Sequence, residues 1–190
     1  MTAKTKIVLD ADVIIHFVKA GQFSLLLDIF PEYQYLILDV VYDEVTVSRA
    51  MKTQIDNTLK FFTSRIANVK FEPKGASRME YARLRNTLLL GKGESACMVY
   101  CRDNKDVLGS SNLRDIKEYC SQNQITYLTT LDFLYYAFIR KKMTKENVDA
   151  FISEVVAKGS KLSAVDIEKY TPTSLSLIHI SEPTRLRCIS

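Results

Sequence analysis

The stretch KIVLDADVII, residues 6–15, decides the fold. Its first half is a short run of apolar, β-branched residues that ends in Asp10, which is typical of a buried β-strand. Its second half continues into ADVIIHFVKAG, which predicts a helix ending at Gly21. A strand that leads directly into a helix is the repeating unit of a parallel α/β sheet. The stretch therefore places Asp10 at the carboxyl end of the first strand.

The same alternation of strand and helix continues along the chain. Further strands are predicted at YQYLILD (33–39), ANVKFEP (67–73), KDVLGSS (105–111) and ITYLT (125–129). Helices fill the intervals, among them SRMEYARLRNTLLL (77–90), and two more close the chain. The expected fold class is α/β, a three-layer α/β/α architecture with a central, mainly parallel sheet.

Length and composition favour an ordinary globular protein of one domain. The chain has 190 residues, of which 47% are hydrophobic and 25% charged, with a net charge of +4. No apolar run is long enough to cross a bilayer, and the N-terminus lacks the pattern of a signal peptide, so we expect a cytoplasmic protein without a membrane partner. The four cysteines show no CxxC spacing, which argues against a zinc site. The mild positive charge permits a polyanionic partner.

The C-terminal end differs from the rest of the chain. The segment LSLIHISEPTR, residues 175–185, resembles the in-frame translation of a sequencing-library adapter. We therefore expect one folded domain over 1–165, a C-terminal extension over 166–174 and a non-native tail over 175–190. With the tail excluded, His16 is the only histidine. A histidine-rich metal site is then not expected.

Acidic and amide side chains follow the predicted strands at the ends where sites form in open α/β sheets. The acids remote in sequence that would meet at this edge are Asp10, Asp12, Asp39, Asp43, Glu44, Glu94 and Asp115, with Ser110, Ser111 and Asn112 after the fourth strand. Carboxylates that face one another repel strongly unless a cation lies between them. Hard oxygen ligands suit Mg²⁺ or Mn²⁺. The pattern predicts a divalent-metal site.

The order of these motifs resembles the PIN-domain family of VapC-like, metal-dependent nucleases. The resemblance covers residues 4 to about 160 and depends on IVLDADVII, VVYDEV, GKGESACMV and VLGSSN. It implies that Asp10, Glu44 and Glu94 are the catalytic metal ligands. The fourth ligand position is commonly an aspartate in the family. Asn112 stands there in this chain, and its uncharged amide oxygen would bind the metal or hold a ligand water.

Other residues acquire supporting roles from the same resemblance. Asp12, Ser111 and Asp115 would hold the ligands in place without binding the metal themselves. The implied activity is endoribonuclease chemistry, hydrolysis of RNA phosphodiesters with Mg²⁺ or Mn²⁺. Many members of the family are toxins held by a small antitoxin-type protein, and many form homodimers. The cations expected to contact RNA phosphates are Lys92, Arg114 and Lys117.

Haloacid-dehalogenase-like phosphatases offer an alternative interpretation. IVLDADVII also resembles their signature, in which Asp10 would be the nucleophile and Asp12 the general acid or base. VLGSSN resembles their phosphate-binding motif. That family needs an acidic pair after a later strand, where ITYLTTLDF offers the single Asp132. Glu44 and Glu94 would have no role in such an enzyme.

A module that binds without cutting is the third interpretation. Asn112 carries no charge at a position where the family commonly has an acid. A PIN-like chain with this substitution could bind RNA or a protein while being catalytically weak. Metal-dependent cleavage of RNA separates this possibility from the nuclease.

Overall fold

The structure, a computed structural model, describes residues 5–173. The adapter-like tail predicted over 175–190 lies outside the described residues. The strands within them are β1 (Lys6–Leu9), β2 (Gln34–Leu38), β3 (Ile66–Val69), β4 (Val107–Gly109) and β5 (Tyr127–Leu128). The helices are α1 (Ala11–Lys19), α2 (Phe23–Ile29), α3 (Asp39–Val45), α4 (Arg49–Phe61), α5 (Ala76–Asn86), α6 (Lys92–Asn104), α7 (Leu113–Gln122), α8 (Thr130–Ile139) and α9 (Lys145–Ala157). Over the described range, none of the helices is long and apolar enough to span a bilayer.

The sheet is parallel throughout and confirms the predicted fold class. Its order over the described residues is β3-β2-β1-β4-β5. From β1 the chain proceeds outward to one side through β2 and β3, and then returns to the other side for β4 and β5. The strand order therefore reverses between β1 and β4. In doubly wound sheets a crevice opens at such a switch point beyond the carboxyl ends of the strands.

Both faces of the central strands are covered by helices. Ile7, Val8 and Leu9 in β1 are fully buried, as is the neighbouring Ile37 in β2. A strand covered on both sides must be apolar along its whole length, which explains the continuous run rather than an alternating one. Each such aliphatic side chain contributes about 1.5–3 kcal/mol on burial. The apolar core thus holds β1 rigidly, and Asp10 follows directly after it.

One predicted helix ends earlier than the sequence indicated. The stretch 77–90 was expected to be helical to its end, but α5 stops at Asn86. Leu89 takes a left-handed conformation with φ of 56°, which a helix cannot contain. The Arg85 guanidinium donates a hydrogen bond to the Leu90 carbonyl and closes the resulting loop. Leu88 and Leu89 are therefore exposed on a loop that leads into α6.

The last described residues pack against α8. Ile167 is fully buried. The Tyr170 hydroxyl and the Thr173 main-chain N–H both donate to Asp132 Oδ1, at 3.0 and 2.8 Å. The other oxygen of Asp132 accepts from the Thr129 main chain and hydroxyl in a capping box at the start of α8. This carboxylate therefore links residues 170–173 to α8, the helix that it caps.

Candidate metal centre

Asp10 lies at the switch point of the sheet. Its main-chain N–H donates to the Gly109 carbonyl at 2.8 Å, which joins the end of β1 to the end of β4. The side chain is 5% exposed and caps α1 by accepting from the Ala11 N–H at 2.8 Å. Its second oxygen accepts from the Ser110 hydroxyl at 3.0 Å. Two donors therefore fix the carboxylate at the mouth of the crevice.

Glu44 is an exposed residue of α3 whose carboxylate approaches Asp10 beside Gly93 of α6. A Cβ atom added at Gly93 would lie 2.8 Å from Glu44 Oε2, 3.1 Å from Val41 Cγ2 and 3.6 Å from Asp10 Oδ1. Oxygens from the first and second predicted ligands thus lie against the same point of α6. A side chain at position 93 would occupy the space that they share. Glycine is therefore the residue that leaves room beside these two carboxylates.

Glu94 faces the fourth predicted position. It is largely buried, and its Oε1 accepts a hydrogen bond from Asn112 Nδ2 at 2.9 Å. The same Asn112 nitrogen donates to Asp115 Oδ2 at 2.7 Å. The amide NH₂ group thus bridges two carboxylates, and it is the nitrogen rather than the oxygen that faces them. An aspartate at position 112 would add a third negative charge to this group.

Asp12 joins α1 to the turn after β4. Its Oδ2 accepts from the Ser111 main-chain N–H at 2.7 Å. The Ser111 hydroxyl contacts Thr130 Oγ1 at 2.9 Å, which in turn lies 2.8 Å from His16 Nδ1. Burial, and then the nearby Lys19 charge, lower the pKa of His16 to about 4, so the ring is neutral near pH 7. Asp12 and His16 are four residues apart and so lie on one face of α1. This spacing is the feature of the sequence that could have predicted the network.

The electrostatics of the edge are strongly unfavourable to a further negative charge. Burial, and then the negative charge of Asp12, raise the pKa of Asp10 to about 8, with Glu94 adding to the effect. Burial, and then the charge of Asp115, raise the pKa of Glu94 to about 7. Hydrogen bonds from Ser110 and Asn112 oppose these shifts only in part. A cation at this edge would relieve the repulsion.

The donor set fits a hard divalent cation in chemistry, although its ligands are not assembled into a full shell. Carboxylate oxygens from Asp10, Glu44 and Glu94 are the ligands that Mg²⁺ and Mn²⁺ prefer. The space left by Gly93 beside two of them supports the fit. Across residues 5–173, no three histidine, cysteine, aspartate or glutamate side chains are placed to hold one metal ion.

Two acids that follow β2 are not drawn into this group. Asp39 Oδ1 accepts from the Val40 and Phe71 main-chain N–H groups, which ties the end of β3 to the start of α3. Asp43 is exposed. These roles account for both side chains without a ligand.

The three cations expected to contact phosphates are exposed. Lys92 lies at the start of α6, and Arg114 and Lys117 lie on α7. Within the described part of the chain, none of the three forms an ion pair or a side-chain hydrogen bond. They are therefore free to meet an anionic ligand.

Fold and site together define a class: a parallel α/β domain that gathers carboxylates beyond its strand ends, at the switch point of the sheet. A family model described as a PIN domain matches residues 6–171. The chain therefore belongs to the PIN-domain family, whose members are generally nucleases that use divalent metals. This match also decides against the haloacid-dehalogenase interpretation of the Asp10 and Asp12 pair.

Two solved structures are similar to the chain. VapBC2 from Rickettsia felis, bound to a DNA fragment from its promoter, is 16% identical with a TM-score of 0.47, and the match covers 66% of this chain and 98% of that one. VapBC-1 from nontypeable Haemophilus influenzae is 15% identical with a TM-score of 0.48 and the same coverage. No curated protein matches the sequence significantly.

Proposed function

We propose that the protein is a metal-dependent endoribonuclease in which Asp10, Glu44 and Glu94 hold Mg²⁺ or Mn²⁺. The observation that carries the proposal is the approach of Asp10 and Glu44 oxygens to the single point beside Gly93. Asp10 is buried at that point, and its raised pKa, to which the charge of Glu94 contributes, favours a bound cation over its absence. Membership of the PIN-domain family supports the same chemistry.

The chain's own residues orient the ligands. The Ala11 N–H and the Ser110 hydroxyl fix the Asp10 carboxylate, and the Asn112 amide holds Glu94. Asn112 also donates to Asp115, so one neutral amide holds both carboxylates. A bound divalent cation supplies Lewis-acid activation of water and stabilises charge at a phosphodiester. Asn112 occupies the fourth ligand position. Asp12, Ser111 and Asp115 hold the ligands in place and do not themselves bind the metal.

RNA is the substrate that fits the charge around the site. Lys92, Arg114 and Lys117 have no anionic partner among the described residues, and phosphate contacts would supply one. Such contacts make binding fall as the salt concentration rises. We therefore expect RNA affinity to depend on salt, with a smaller slope when one of these cations is removed.

The proposal extends to a toxin-type role in the cytoplasm, with an antitoxin-type protein as partner and with a homodimer as the assembled form. Family membership supports this extension. Induced expression of the wild-type chain should arrest growth, whereas Asp10→Asn should not. Growth that is equal for both chains, while cleavage in vitro differs, would contradict the toxin role alone.

Cleavage of a labelled mixed RNA pool tests the nuclease. The wild type should cut with added Mg²⁺ or Mn²⁺ and stop in EDTA, because its carboxylates act through the cation. Asp10→Asn and Glu94→Gln should lower the rate by about 100-fold or more, as the loss of a group that stabilises charge in the transition state does. Asp149→Asn, an exposed acid on α9, is the matched control and should stay within about twofold of wild type.

Each result of the cleavage experiment has a distinct meaning. If the wild type and both site variants are equally silent while RNA still binds, the protein is a binding module. If a phosphatase substrate is hydrolysed and RNA is not, the nuclease proposal fails. Cleavage that persists undiminished in both site variants would also overturn it.

A further inference from the structure

A cavity of about 360 Å³ opens beside the acidic group, between the loop at 87–91 and α7. We call it the inner cavity. Leu88, Leu90 and Met98 form its apolar wall, and its polar side carries the Asp115 and Glu118 carboxylates as well as Arg114 and Gln122. Leu88 is 48% exposed although it lines the cavity. An apolar wall facing a polar rim suits a flat ligand with one apolar face and polar edges.

The inner cavity adjoins the proposed metal centre through a single residue. Asp115 lines the cavity and accepts from Asn112 Nδ2 at 2.7 Å. The same nitrogen donates to Glu94 at 2.9 Å. A ligand in the inner cavity would therefore lie next to a ligand at the proposed metal centre. The cavity and the centre can thus hold neighbouring units of one polymer.

A second, more open groove continues along α7 from the inner cavity. It is lined by Leu113, Arg114, Lys117, Glu118, Ser121 and Gln122, of which Arg114, Glu118 and Gln122 also line the inner cavity. Arg114 and Lys117 form no ion pair within the described chain, whereas Arg83, also on the cavity wall, is bonded to Glu80. Over its 10 residues α7 extends about 15 Å, which is enough for more than one ligand unit.

The geometry points to a base-binding subsite: the inner cavity takes one unpaired nucleobase of single-stranded RNA, and Arg114 and Lys117 take the adjoining backbone phosphates. The subsite rests on the proposed nuclease function. Apolar walls beside unpaired cations match a base next to its phosphates, since a base has an apolar face and its backbone is anionic. A base in a duplex is stacked and paired, so it cannot enter the cavity without leaving its helix. The site therefore selects single strands.

Binding to labelled oligonucleotides in EDTA, where the strand is not cut, tests the subsite. Three probes are compared: an eight-nucleotide single-stranded RNA, a ribose-phosphate backbone of the same length without bases, and the eight-nucleotide RNA as a perfect duplex. We expect the intact single strand to bind at least about tenfold more tightly than either of the others, as removal of one stacked base costs about that much.

Two pairs of variants locate the contact on the cavity. Leu88→Ala should weaken binding of the intact strand about fivefold and leave the baseless backbone unaffected. Leu89→Ala is its control, because Leu89 is 81% exposed and does not line the cavity. Arg114→Ala should weaken both probes and lower the salt slope by about 0.7, the value for one phosphate of a single strand. The exposed Arg78 of α5, replaced by alanine, is the control for charge.

The outcomes separate the subsite from the nuclease. If Leu88→Ala changes no more than Leu89→Ala while RNA is still cut, the subsite is wrong and the nuclease stands. If RNA binds as described but is never cut, the nuclease fails and the base contact stands. Equal affinity for the intact strand and the baseless backbone overturns the subsite, and so does a failure to bind any RNA, which would leave the groove to a protein partner.

Discussion

Two buried carboxylates of this molecule, Asp10 and Asp132, have opposite surroundings. Asp132 is fully buried and accepts four hydrogen bonds, two from Thr129 and one each from Tyr170 and Thr173. Asp10 is 5% exposed, accepts from two donors, and is close enough to Asp12 and Glu94 for their charges to raise its pKa. The protein therefore satisfies the hydrogen-bonding capacity of Asp132 but not that of Asp10.

The difference separates a structural carboxylate from a functional one. Four hydrogen bonds replace the water that the Asp132 carboxylate lost on burial, so this carboxylate stabilises the fold. At Asp10 the protein supplies too few donors and adds repulsion, and such an arrangement persists where function requires it. Removing each carboxylate should therefore have opposite effects on stability.

The largest effect should follow from Asp132→Ala. This change leaves the Thr129 and Thr173 N–H groups and the Tyr170 hydroxyl without their acceptor and detaches the C-terminal segment from α8. We expect the free energy of unfolding to fall by about 3–5 kcal/mol in urea denaturation, because buried and part-buried donors lose one shared acceptor. Asp149→Ala, at an exposed site on α9, should change it by less than about 0.5 kcal/mol. A loss below about 1 kcal/mol for Asp132→Ala would show that the four contacts do not stabilise the fold.

At high pH, Asp10→Asn should change the free energy of unfolding in the opposite direction to Asp132→Ala. The folded pKa of Asp10 is raised to about 8 from an ordinary value of 3.8. Its protonated form is therefore favoured by folding, and metal-free wild type should lose stability as the pH rises between about 4 and 8. Asparagine has no proton to lose. In EDTA at pH 8 we therefore expect Asp10→Asn to be more stable than wild type, since each unit of difference in pKa corresponds to about 1.4 kcal/mol.

The pH dependence itself provides the control for Asp10→Asn. The advantage of the variant should vanish below about pH 3, where Asp10 is protonated in both the folded and the unfolded chain. Denaturation of both proteins in EDTA across this range is the measurement. A variant that is less stable than wild type at pH 8 would mean that Asp10, like Asp132, is satisfied by its hydrogen bonds.

Added Mn²⁺ should stabilise the wild type by a smaller amount. A ligand that binds only the folded chain raises the free energy of unfolding by about 1.4 kcal/mol at ten times its Kd. We expect thermal unfolding at pH 7.5 to shift upward with Mn²⁺ for wild type and for Asp149→Asn, and to stay in place for Asp10→Asn. Equal shifts in all three would place the ion away from the switch point.

The sequence predicted the placement of Asp10 and Glu94 because each depends on local order: an acid after an apolar strand, and an acid at the start of a helix. It also predicted the parallel sheet, since strands alternate with helices. The role of Asp132 could not be predicted, because its partners Tyr170 and Thr173 lie 38 and 41 residues away. The direction of the Asn112 amide depends likewise on two acids that only the folded chain brings together.

Gly93→Ala should have the smallest effect on stability of these variants, but it should strongly reduce stabilisation by Mn²⁺. The new Cβ would lie 2.8 Å from Glu44 Oε2, the end of a flexible side chain that can move, and 3.1 Å from Val41 Cγ2. Alanine also favours the helix, so we expect the free energy of unfolding to change by less than about 1 kcal/mol. Displacement of Glu44 should nevertheless abolish most of the stabilisation by Mn²⁺. Gly91→Ala is the matched control, because its Cβ would meet only Glu94 Cβ at 3.8 Å. If both alanine variants respond to Mn²⁺ as wild type does, Glu44 takes no part in the centre, and Asp10 must bind the ion with Glu94 alone.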